Sequence, residues 1–106
     1  MVDHTTRIII SLKEFEQLRK AVLGPAPDAQ SLRKYGTLAA AAAERMAAML
    51  EVLAAAGFTL KANKDTIYAD SETVEAPAAK RLLAAQGFAD KEYEIYLEYR
   101  RQWGVM

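Results

Sequence analysis

The chain has no cysteine. That excludes disulfide frameworks, thiolate zinc sites and cysteine nucleophiles together. Histidine is nearly absent too: His4 is the only one, and no second His or carboxylate pair stands at ligand spacing around it. Neither a metal site nor an imidazole acid–base centre is expected from it. Glycine is scarce, and the five present never gather into a phosphate-cradling loop or a dinucleotide fingerprint. Ser11 and Ser31 lack the local context of a nucleophile elbow. An excess of charge is missing as well. Lys and Arg total 14, as do Asp and Glu, so nothing pulls the whole chain toward nucleic acid or an anionic membrane. Long apolar runs are also lacking, since residues 37–58 are interrupted by Glu44, Arg45 and Glu51. Met1 to His4 include an acid and lead into only three isoleucines, so no signal peptide is expected. These absences together predict a cytoplasmic protein with no membrane segment, no metal and no cofactor.

What the chain does have is apolar mass, at 52% of its residues. Much of it is alanine, which buries little area. The core must therefore rest on fewer large side chains: Ile8 to Ile10, Phe15, Leu18, Val22, Leu50, Leu53, Phe58, Leu82, Leu83 and the C-terminal aromatics. A length of 106 residues predicts one domain, with residues 1–5 as a flexible tail. A domain this small buries a modest share of its surface and would gain from a partner subunit.

Thr6 to Ile10 are β-branched and apolar apart from Arg7, which suits a strand buried on both faces. Ser11-Leu12-Lys13-Glu14 reads as a capping box, and Phe15, Leu18 and Val22 form the apolar stripe of the helix that follows. Gly24-Pro25 stops it. A second helical stripe through Leu32, Tyr35, Ala39, Ala42, Met46, Met49, Leu50 and Leu53 predicts a helix over 29–56, either continuous or broken near Gly36. Residues 58–62 and 66–70 read as a hairpin turning near Asn63-Lys64-Asp65; if Lys64-Asp65 is the loop, Leu60 lies opposite Ala69 and Lys61 opposite Tyr68. Asp70, Glu72 and Glu75 are expected to cap the helix predicted over 77–86, which has Pro77 in its first turn. Leu53 to Phe58 and Leu83 to Phe88 end alike, with a glycine and then a phenylalanine, as two copies of one helix ending.

Residues 90–103 carry two patterns. Tyr93, Ile95, Leu97 and Tyr99 alternate with polar residues, as in a strand. Ile95, Tyr96, Tyr99, Trp103 and Met106 also share a helical face. Asp90 as N-cap, Glu92 and Glu94 in a first turn, and Arg100 and Arg101 in a last one favour the helix.

The expected fold is α+β: a small antiparallel sheet, made of the N-terminal strand plus the hairpin at 58–70, covered by four helices in the order β-α-α-β-β-α-α. The stretch 47–70 resembles the second half of a winged-helix DNA-binding domain, which implies DNA binding. It departs from that pattern where a recognition helix needs basic residues, being alanine-rich there. Two groups of residues point instead to protein partners. Alanines at 39–43, 47 and 48 permit close helix approach, with Met46, Met49, Leu50 and Leu53 as knobs for self-association, so a homodimer is expected. Tyr96, Tyr99, Arg100 and Trp103 combine the residue types enriched at interface hot spots. The sequence thus predicts a small non-catalytic interaction or regulatory module acting through a protein partner. The alternatives are a winged-helix-like DNA-binding protein and, third, a small-ligand-binding protein or enzyme.

Overall fold

A computed structural model describes residues 4–99 of the chain. It shows an α+β domain in the order β1 (His4–Ser11), α1 (Lys13–Leu23), α2 (Ala29–Ala55), β2 (Thr59–Asn63), β3 (Thr66–Ser71), α3 (Ala76–Ala85), a single 3-10 turn (Asp90–Glu92) and β4 (Glu94–Tyr99). The four strands form one sheet in the order β2-β3-β1-β4, and every neighbouring pair is antiparallel. This is the strand order of a split β-α-β (ferredoxin-like) arrangement. Its first crossover holds two helices, α1 and α2, in place of one.

The described residues thus hold three α-helices rather than four, and the sheet gains a strand at 94–99 where a helix was expected. The physical reason lies in β1. That strand is central, and without β4 one of its edges would present unpaired amides and carbonyls beside the core. Pairing Ile8 with Ile95 and Thr6 with Leu97 satisfies that edge and packs Ile95 against the core. The helix-start signals at Asp90 and Glu92 support only the 3-10 turn, where the Glu92 carboxylate accepts from the Ala89 amide at 2.7 Å.

On the inner face Ile8, Ile10 and Ala69 meet Met49 and Leu53 of α2 and Ala79 and Leu83 of α3, with Phe58, Phe88 and Tyr93 closing the cluster. Ile9 is half-buried on the opposite face, so β1 is buried on one side and not both. His4 and Thr5 belong to β1 rather than to a tail; residues 1–3 lie outside the described part.

The hairpin forms in the expected register, with Leu60 opposite Ala69, Lys61 opposite Tyr68, and a two-residue turn at Lys64-Asp65. Lys64 holds φ at 55°, the left-handed value that a tight hairpin turn needs. The two matching helix endings are both complete Schellman motifs. The Phe58 amide donates to the Leu53 carbonyl and Gly57 to Ala54, and Phe88 donates to Leu83 and Gly87 to Ala84. Gly57 and Gly87 sit at φ 95° and 89°, which side chains resist.

Two capping expectations are overturned. The box at Ser11 does not form: α1 begins a residue later, and the Ser11 hydroxyl only accepts from the Lys13 amide at 3.2 Å. A full box lies instead at the start of α2, where Asp28 Oδ1 accepts from the Ser31 amide at 2.7 Å and Ser31 Oγ from the Asp28 amide at 2.9 Å. The entry to α3 is organised by Ser71, whose hydroxyl accepts from Thr73 and Val74. Glu75 is the N-cap but makes no side-chain cap, and Asp70 points to the outer face of the sheet, where Arg7 draws it into a stronger, charge-assisted pair.

Candidate interaction surfaces

Two surfaces are left uncovered by this packing. The first is a helical arm. α2 runs through Gly36 without a break and, at 27 residues, is about 40 Å long. Its root packs on the sheet through Met49 and Leu53, whereas no residue from 29 to 48 is buried. α1 has no buried residue either and packs along α2, half-burying Phe15, Leu18 and Val22 on one side and Tyr35, Ala39, Ala42 and Met46 on the other. The arm makes the molecule long, with a radius of gyration of 16.9 Å, against about 13 Å for a compact chain of about 100 residues. Leu32 and Leu38 remain 57% and 39% exposed on it.

Arg45 braces the arm at its root. Its Nη2 donates to Glu92 Oε2 and to the Gly87 carbonyl, both at 2.8 Å, and its Nε donates to Glu92 Oε1. The guanidinium also lies 4.8 Å from the centre of the Phe88 ring. Hydrogen bonding from Arg45 holds the Glu92 carboxyl below its ordinary range, helped by the Ala89 amide. Beside this brace a cleft of about 480 Å³ lies between α1 and α2, with Lys13, Glu14, Lys91 and Glu92 on its walls. Both signs of charge line it, and no group of three His, Asp or Glu able to hold a metal occurs among the described residues.

The second surface is the outer face of the sheet, where none of the side chains described is buried. Antiparallel pairing sets its residues in rows. One row reads Lys61, Tyr68, Ile9, Glu94 from β2 to β4, and the next reads Thr59, Asp70, Arg7, Tyr96. Arg7 and Asp70 are direct cross-strand partners joined twice, at 2.8 and 3.0 Å. Tyr68 lies under Arg7 at 4.4 Å and near Lys61 at 5.8 Å, while its hydroxyl accepts from Asn63. Lys61 in turn lies 3.8 Å from Asp70. The row pattern was legible in the alternation of β1 and β3, but the Arg7–Asp70 pairing needed the register of two strands separated by 54 residues of intervening chain.

The residues expected to mediate contacts are distributed differently from the sequence reading. Met49 and Leu53 lie in the chain's own core at 2% and 0% exposure, with Met46 and Leu50 packed against that core. These side chains fill the domain itself. Tyr96 is half exposed on the outer sheet face, and its hydroxyl donates weakly to Glu94 at 3.3 Å. Tyr99 ends β4, so the helical stripe meant to unite it with Tyr96 does not exist; Arg100 and Trp103 lie outside the described residues. The last part of α2, from Met46 to Ala55, carries no Lys or Arg; its basic residues, Arg33, Lys34 and Arg45, all lie earlier in the helix. No helix among the described residues is long and apolar enough to cross a membrane.

No family model, no curated protein and no solved structure matches this chain.

Proposed function

We propose that this chain is a small non-catalytic interaction module that acts through a protein partner and self-associates. The observation that supports it is the state of α2 between residues 29 and 48. The helix carries small apolar residues on several faces, yet it buries none of them. A helix apolar on more than one side belongs inside a larger packing unit, and α1 covers only one of its sides. Leu38 and Ala41, about one turn apart and both exposed, offer a partner helix a close approach. Wild-type chain and a Leu38→Glu/Ala41→Glu variant, each retained on beads from the native host's extract, test the partner half of the reading. Both positions are exposed, so the variant should melt like wild type while losing one specific bound protein. Identical retention by the two chains, or no specific retention by either, overturns the reading.

A further inference from the structure

We infer that the outer face of the sheet docks a second copy of this chain, face to face, about a two-fold axis parallel to the strands. This rests on the self-association part of the reading above and names its surface. Such an axis carries β2 of one copy over β4 of the other, and β3 over β1, while keeping every row at its own height. The strand order β2-β3-β1-β4 then makes the face its own complement. In one row Lys61 meets Glu94 of the second copy, and the half-buried Ile9 meets Tyr68. In the next row Asp70 meets Arg7, so each intramolecular ion pair lies against its mate with the charges reversed. Every charged position named meets its opposite, and the apolar positions meet each other. Strand pairing, not design by position, creates this match: the face is basic toward β2, acidic toward β4 and neutralised between.

Aligned sheet packing at about 30° keeps the rows nearest the axis in contact and lets the corners diverge. The patch is small, on the order of 400 Å² in projection for four strands of ordinary spacing. That is well below a standard interface, so a dimer of micromolar affinity is expected rather than an obligate one.

Sedimentation across a concentration series reaching high micromolar tests it with three variants. Lys61→Glu alone and Glu94→Lys alone each place like charges opposite one another twice per dimer. Each should weaken dimerisation by roughly tenfold or more. The double variant Lys61→Glu/Glu94→Lys restores both pairs and should dimerise like wild type. Mixing the two single variants should also yield a heterodimer from chains that are monomeric alone. This last measurement compares folded chains only, because thermal melts select the variants that enter the mixture. Dimerisation indifferent to the swaps, or no heterodimer on mixing, overturns the sheet-face assignment and leaves self-association standing. A wild-type chain that stays monomeric throughout overturns both.

Discussion

Arg45 on α2 and Glu92 in the 3-10 turn form a two-pronged ion pair that ties the base of the helical arm to the segment entering the edge strand β4. The guanidinium uses a third donor on the Gly87 carbonyl. One side chain thus joins α2, the Schellman ending of α3 and the approach to β4. Arginine suits the position because its planar fork reaches a carboxylate and a carbonyl at once, which a lysine ammonium on the same stem does not.

The pair gives the fold a pH dependence with a defined sign. The Glu92 carboxyl is held below its ordinary value in the folded chain, chiefly by the Arg45 hydrogen bonds. Its contribution is therefore complete above the ordinary Glu range near about 4.3 and is lost as pH falls through the lowered folded-state value. A Glu92→Gln variant should have a lower urea midpoint than wild type at neutral pH. The difference should close as the pH is taken into the acid limb. A gap that stays constant across that range would show that the charge contributes nothing.

Thr6 is buried on the inner face at 1% exposure, and its hydroxyl finds no hydrogen-bond partner among the described residues. A buried polar group without a partner costs its full desolvation. Thr6→Val keeps the branched shape and removes the oxygen, so it should stabilise the domain by about 1 kcal/mol in equilibrium unfolding.

Gly87 ends α3 at φ 89°, and a side-chain carbon built there meets nothing within 4 Å. Gly87→Ala should therefore cost only the backbone strain, about 1 kcal/mol. Gly87→Asn should cost less, because asparagine tolerates left-handed backbone better. Equal losses for the two would indicate a steric cause instead.

Gly36 lies in the middle of the exposed part of α2, again with open space around it. Gly36→Ala should add about 1 kcal/mol to the local stability of the helix. Since the arm buries little, the gain should appear as slower amide exchange in residues 30–45, with little change for β1 and β3.

Much of this architecture could be read from residue order, and the failures have a common cause. The hairpin register followed from local alternation and a short turn, and the twin helix endings followed from glycine and phenylalanine at fixed offsets. Signals confined to a few residues survived folding when nothing distant competed with them. Ser11 and Asp90 failed because distant partners did compete. The chain at Ser11 is still strand, opposite Thr66, and the Leu12 amide donates to the Asp65 carbonyl, which delays the helix. Downstream of Asp90 the open edge of β1 captured an alternating segment that local cues would have coiled. For the surfaces, exposure of the arm was half visible. Its alanines marked α2 as unusual, but only the packed core shows that Met49 and Leu53 turn inward. The hairpin pattern set Lys61 opposite Tyr68, but the pairing of Arg7 with Asp70 carried no local signal, because it exists only once β1 and β3 lie side by side.

Mechanically, α2 is a cantilever. It is clamped at Met49 and Leu53 and projects from the sheet for roughly 30 Å toward Asp28, with α1 alone packed along it. A load on the free end reaches the clamp as torque, and the Arg45–Glu92 pair is the strut that opposes it from the side. Half of the Arg45 side chain is exposed, so salt and acid reach that strut before they reach the buried core. Loss of that pair should therefore be felt first in the angle at which the arm leaves the sheet, and only later in the sheet itself.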